Sequence, residues 1–161
     1  MTSNKLQRLI ELADKVFGVR NDPDQINAYE EAVRARLLQI HPMTLSQYDV
    51  EDGPVAWMLL IPTTKDLMEQ FLYLKISERE LFEKTPIGSK YDAVYLCSAL
   101  VLEEYRRKGI ASDLVIKAVL EMKKEHPIQA LFVWPFTDDG NSTAEKISQT
   151  LKMPLYKRIK K

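Results

Sequence analysis

The chain has 161 residues, 45% of them hydrophobic and 29% charged, with 23 Lys+Arg balancing 23 Asp+Glu. That length is expected to fold as one domain spanning residues 1–161 with its own core, and the composition excludes a disordered or fibrous chain. A neutral total argues against dependence on nucleic acid, and the longest apolar run, Val55 to Ile61, is too short for a membrane span.

No signal-like segment opens the chain, so a cytoplasmic protein is expected, with no membrane partner. Cys97 is the only cysteine, which rules out an internal disulfide and a cysteine-based metal site and agrees with a reducing compartment. Charge is unevenly spread: Met1 to Glu83 holds 9 Lys+Arg against 14 Asp+Glu, and Lys84 to Lys161 holds 14 against 9. The basic half suits an anionic ligand.

Leu6, Leu9, Ile10, Ala13 and Phe17 recur at helical spacing after Thr2-Ser3-Asn4, with Gly18 as the expected cap. Asp22-Pro23-Asp24 opens a second helix through Ile26, Tyr29, Val33 and Leu37 that stops at His41-Pro42. β-rich runs from Thr44 to Ile61, on either side of Glu51-Asp52-Gly53-Pro54, predict an antiparallel hairpin. Two short helices are expected next, over Asp66 to Lys75 and Glu78 to Glu83, the second started by Ser77 with Glu80 at the capping-box spacing. Tyr91 to Val101 reads as a long strand, followed by a helix with Ile110, Ala111, Leu114, Val115, Ala118 and Met122 on one face, running to about Glu125. A strand over Ala130 to Phe136, a helix from about Ser142 to Leu151 and a short strand over Leu155 to Ile159 complete the chain.

The junction Leu102 to Leu114, LEEYRRKGIASDL, places Gly109 directly behind Arg106, Arg107 and Lys108 and directly before an apolar helical repeat. A helix N-terminus presents unpartnered N–H groups and partial positive charge, and a glycine lets a phosphate approach the backbone. The same features also fit a simple turn beside a solvated cationic face. Neither of the two familiar phosphate strings, GxxxxGK followed by Ser or Thr, or GxGxxG, occurs.

Arg106-Arg107-Lys108-Gly109-Ile110-Ala111 resembles the acetyl-CoA pyrophosphate loop of the GNAT N-acetyltransferase superfamily: Arg or Gln, two residues, Gly, one residue, then Gly or Ala. The strand end Ala99-Leu100-Val101 and the run Glu104-Tyr105-Arg106 extend the likeness, which covers Tyr91 to about Met153 and the first 90 residues only loosely. The resemblance implies an α/β (mixed α+β) fold of three layers. Its central mixed, mostly antiparallel sheet is splayed between the family's fourth and fifth strands and flanked by helices. It implies acetyl-CoA as co-substrate, direct acetyl transfer to a primary amine and no metal; a small-molecule acceptor is favoured over a protein because nothing in the sequence suggests a peptide groove. It allows a homodimer without requiring one.

Carried over by position, Ala99, Leu100 and Val101 would line the pantetheine arm, the N–H groups from Arg107 through Lys108, Gly109, Ile110 and Ala111 to Ser112 would hold the pyrophosphate, and Arg106 to Lys108 would add charge. Asn141, Ala144 and Ile147 match a downstream family pattern whose next position is a tyrosine that protonates the leaving thiolate; here it is Ser148. Ser148, Tyr156 and, less favoured, Tyr105 remain as general-acid candidates beside solvent, or the chemistry has been lost, leaving a non-catalytic acyl-CoA binder. The family's opening strand is missing, and one short final strand stands where it has two.

Cys97 reads as a small buried hydrophobe, His41 and His126 as structural residues at helix ends, and Phe132, Trp134 and Phe136 as one core-facing stripe. Glu51, Asp52, Asp138 and Asp139 are carboxylates near strand ends, and the terminal Lys157 to Lys161 run is a candidate contact for the adenosine phosphate.

Overall fold

A computed structural model of the protein describes residues 4–20, 30–51, 53–134 and 138–159. Helices α1 (Asn4–Arg20) and α2 (Glu31–Ile40) precede the hairpin β1 (Leu45–Val50) and β2 (Gly53–Thr63), then α3 (Lys65–Leu72), α4 (Glu78–Lys84), β3 (Ala93–Val101), α5 (Ile110–Glu125), β4 (Ala130–Val133), α6 (Asp138–Leu151) and β5 (Leu155–Lys157). The helix α1 passes through Gly18 instead of stopping there. The predicted start of α2 at Asp22-Pro23-Asp24 lies outside the described residues, as does Phe136.

The strands form one open sheet in the order β1-β2-β3-β4-β5. β1–β2 and β2–β3 are antiparallel with long ladders, whereas β3–β4 and β4–β5 are parallel and pair over three residues each. The hairpin closes at Val50 opposite Gly53, whose φ of 126° only glycine adopts readily, so Gly53 and Pro54 belong to the strand and not to the turn.

Side-chain alternation divides the layers. Phe71 of α3 packs on the rings of Tyr95, Phe132 and Trp134, and Tyr95 donates its hydroxyl to the buried Glu78 of α4 at 2.6 Å, so α3 and α4 cover that face. Burial and the adjacent Glu78 carboxylate hold the Tyr95 phenol well above its usual range. Helix α5, packed on β1, β2 and β3, and α6, beside α5 and β4, form the layer on the opposite face through Val115, Ala118, Val119, Met122, Ala144 and Ile147. A second apolar cluster, Leu9 and Ala13 of α1 with Val55, Leu100 and Leu102, fastens α1 over β2 and β3.

Local sequence explains the helix ends. Thr64 caps α3, and Ser77 with Glu80 forms the expected capping box on α4. α3 stops short of the predicted Lys75 because Leu74 turns left-handed, φ 64°, letting the Lys75 N–H reach back to the Gln70 carbonyl at 2.8 Å. α6 begins at Asp138, ahead of the predicted Ser142, in a turn without apolar residues for periodicity to reveal. Among the described residues no helix is long and apolar enough to cross a membrane.

His41 and His126 cap the ends of α2 and α5, with ring centroids 5.7 Å apart, and Glu125 lies beside them, its carboxylate 3.5 Å from His41 Nε2. Their ligand-type atoms fall within 4.8 Å of one another, a clustering the sequence spacing did not reveal. Each Nδ1, however, accepts a backbone N–H, from Met43 at 3.0 Å and from Tyr91 at 3.3 Å. The proton of each neutral ring therefore sits on Nε2, which leaves no lone pair there for a metal. Burial first, then repulsion from His41 when that ring is protonated and from Lys90, push the His126 pKa below its ordinary value, with Glu125 opposing. A depressed histidine contributes stability above its unfolded pKa of about 6.5, and that contribution is lost as pH falls toward the folded value. Thermal unfolding should therefore move to lower temperature between about pH 7.5 and about pH 5.5, with a shallower slope in His126→Gln; an equal slope in both proteins would count against this assignment.

Candidate functional site

Near its middle β3 loses one neighbour. It pairs with β4 only from Ala93 to Tyr95, while its ladder with β2 continues to Val101. The register on β2 slips between Leu59, opposite Ser98, and Leu60, opposite Leu96, so Cys97 is an extra residue that bends the strand where it parts from β4. Burial changes at the same place: Ala93 to Tyr95 are buried, Leu96 to Ser98 half-buried and Ala99 exposed, although β3 is the central strand. The edge of β3 that faces β4 is thus open from Leu96 onward. This is the expected splay, set here between the third and fourth of the described strands.

Leu100 alone of the predicted lining points elsewhere, into the α1 cluster, so it offers the cleft its backbone only. Leu96 and Ser98, which no sequence motif marks, stand with Cys97 at the opening; the short β4 ladder that exposes them is a tertiary feature. Cys97 is half-buried, more open than the core residue expected.

The open strand runs directly into the cationic junction. A single turn of 3-10 helix, Glu103–Tyr105, leads to Arg106, whose Nε donates to the Val101 carbonyl at 2.9 Å and so commits one arm of that guanidinium to the loop itself. Arg107 adopts φ 62° and Gly109 φ 79°, both left-handed. Gly109 is the N-cap of α5 and brings no side chain to satisfy the helix. The first helical bond runs from the Asp113 N–H to the Gly109 carbonyl, so the amides of Ile110, Ala111 and Ser112 precede the helical ladder. A Cβ on Gly109 would meet nothing closer than 3.9 Å, where it would find Asp113 Oδ2 and Lys146 Nζ. Glycine is therefore required by backbone conformation and not by crowding, and Lys146 of α6 joins Arg106, Arg107 and Lys108 around the helix start. Sequence spacing did not mark Lys146, since nothing in it reports where α6 lies against α5.

Asn141 and Ala144 lie on the first turns of α6, Ala144 buried; the buried Asn141 Oδ1 has no hydrogen-bond partner among the described residues, while its Nδ2 lies 3.5 Å from Glu145. Ser148 closes the other end of α6: its hydroxyl donates to the Met153 carbonyl at 2.5 Å, and the Met153 N–H donates to the Ser148 carbonyl at 3.1 Å, around a left-handed Lys152 of φ 56°. The hydroxyl proton is thus committed to the helix end. Tyr156 lies on β5 opposite Phe132, with β4 between it and the open edge of β3, and lines a cavity of about 290 Å³ with Lys65, Tyr73 and Gln129. Tyr105 is held in the α1 cluster with Lys5 and Lys108 about its ring. Arg158 of the C-terminal run is buried, a core residue and not a surface cation.

The sequence matches the Acetyltransferase (GNAT) family over residues 7–147, and the chain belongs to that family of acetyltransferases. No curated protein matches it. Among solved structures it is similar to the tetramutant of the BH1408 protein from Bacillus halodurans, at 17% identity and a TM-score of 0.44, covering 92% of this chain and 85% of that one. It is also similar to AtaTR bound with AcCoA, at 15% identity, TM-score 0.40, covering 78% of this chain and 77% of that one, and to AtaT complexed with acetyl-methionyl-tRNAfMet, at 16% identity, TM-score 0.39, covering 78% and 80%.

Proposed function

We propose that the protein is an N-acetyltransferase that transfers acetyl from acetyl-CoA directly to a primary amine of a small-molecule acceptor, as a single cytoplasmic domain without a metal. The observation that carries this reading is the continuity of an open strand edge, Leu96 to Val101, with the uncapped helix start at Gly109. When bound, acetyl-CoA supplies an activated acyl carbonyl and a thiolate leaving group. The unpaired backbone groups of β3 would hold the pantetheine arm, and the amides of Ile110, Ala111 and Ser112 the pyrophosphate, with Arg107, Lys108 and Lys146 adding charge. The unpartnered Asn141 Oδ1 fits a donor on the ligand.

Positioning and backbone polarisation of the acyl carbonyl carry the acceleration in this reading, and protons move through solvent. Neither Ser148, whose proton serves Met153, nor Tyr156, across β4, is given a part in it. Residues 1–83 carry 14 Asp+Glu against 9 Lys+Arg, a balance that favours a cationic acceptor. The commitment of Ser148 equally favours a second reading, an acyl-CoA binder without turnover.

Calorimetric titration with acetyl-CoA, CoA and ATP tests the shared premise: the first two should bind and ATP should bind much more weakly. Absence of acetyl-CoA binding would remove both readings. Release of free thiol from acetyl-CoA with a panel of amines then separates them, since only the enzyme turns over.

A further inference from the structure

The loop that would receive the phosphates holds an acidic residue in a notable place. Glu104, two residues before Arg106, receives both guanidinium nitrogens of Arg8 from α1, Nη1 and Nη2 each at 2.6 Å from a carboxylate oxygen, across 96 residues of sequence. That fork-on-fork contact holds the Glu104 carboxyl at about 2, so the pair stays ionised throughout the physiological range. The next residue, Tyr105, packs against the Leu9 cluster of α1, with Lys5 of α1 and Lys108 of the loop 5.9 and 5.6 Å from its ring centroid. α1 therefore grips the loop at two successive residues. Just beyond them Arg107 takes a left-handed conformation that a side chain disfavours, so the loop's path depends on restraint from outside itself.

An exposed pair of this kind contributes little to overall stability, and both side chains are more than a third exposed. What it fixes is geometry. A carboxylate close to an anion site opposes the anion electrostatically, and its presence calls for a compensating role. Resting on the acyl-CoA reading above, we infer that Glu104, acting through Arg8, is a positioning residue for the phosphate loop: the pair holds the segment from Glu103 to Gly109 against α1 so that the amides at the start of α5 stand ready for the pyrophosphate.

The sign of the effect distinguishes this from plain charge. If charge alone mattered, Glu104→Gln would tighten CoA by removing a repulsive carboxylate; positioning requires it to weaken CoA, on the order of tenfold, with little change in melting temperature. Arg8→Gln should weaken CoA to a similar degree, the double variant should be no worse than either single one, and the exchanged pair Arg8→Glu with Glu104→Arg should recover much of the affinity. Pantetheine, which lacks the phosphates, should bind all of these proteins alike. Tighter or unchanged CoA binding by Glu104→Gln in a wild-type background that binds CoA would overturn the inference and leave the acyl-CoA reading intact. Failure of the wild-type protein to bind CoA would instead remove that reading and this inference with it.

Discussion

Gly109→Glu should abolish CoA and acetyl-CoA binding, a loss of more than about 100-fold, in a protein that still folds. Two separable effects combine there. Gly109 sits at φ 79°, where any side chain pays a left-handed penalty of roughly 1–2 kcal/mol. Space is not the obstacle, because an added Cβ would have 3.9 Å to its nearest neighbours. Gly109→Ala therefore reports the conformational cost alone: a melting temperature lower by several degrees, at about 2–4 °C per kcal/mol for a domain of this size, and a modest loss of affinity. The glutamate adds bulk and negative charge at the helix start, where the partial positive charge and the amides of Ile110 to Ser112 would otherwise meet a phosphate. Calorimetry on the alanine and glutamate variants, alongside their melting curves, separates the two. Unchanged affinity in a folded Gly109→Glu protein would refute the assignment of the loop.

What the sequence revealed and what it hid follow one physical rule. Apolar periodicity records which face of an element is buried, so β3, α5 and the junction between them were legible, and φ-positive Gly109 was found because a glycine before a helical repeat is a local signal. Left-handed Leu74 and Lys152 were missed because ordinary side chains occupy conformations that usually advertise themselves by glycine. Ser148 was visible as a departure from a pattern, but its bond to Met153 depends on the helix-ending turn, which periodicity does not encode. Contacts between distant segments left no local trace at all. The Arg8–Glu104 pair, the approach of Lys146 to Gly109 and the meeting of His41 with His126 arise only once the layers assemble. The splay lies between the third and fourth described strands, where the extra residue at Cys97 and the short ladder with β4 produce the divergence.

Arg158 shows how far such a hidden contact can reach, and Arg158→Ala should be the most destabilising of the substitutions considered. Read as part of a cationic tail, it is only 7% exposed. Its Nε donates to the Phe71 carbonyl at 2.9 Å and Nη2 to the Ile76 carbonyl at 3.0 Å, joining both ends of the segment between α3 and α4. The guanidinium carbon lies 4.3 Å from the Phe71 ring centroid and 4.4 Å from that of Trp134. Its backbone N–H reaches the Val133 carbonyl, so the residue also extends the β5 to β4 connection at the end of β4 next to the open edge of β3. Truncation would leave the buried Ile76 carbonyl without this donor, at roughly 1–3 kcal/mol, would strip the Phe71 carbonyl of its charged partner so that it keeps the Leu74 N–H, and would remove the cation from against two rings. A total of about 3–5 kcal/mol corresponds to a melting temperature lower by on the order of 10 °C. Lysine should not rescue it, because one ammonium lacks the planar fork that donates to the Phe71 and Ile76 carbonyls in two fixed directions while lying against both rings. Thermal melts of Arg158→Ala and Arg158→Lys check this. A lysine variant as stable as wild type would mean that charge, and not the planar fork, holds α3 to the end of β4.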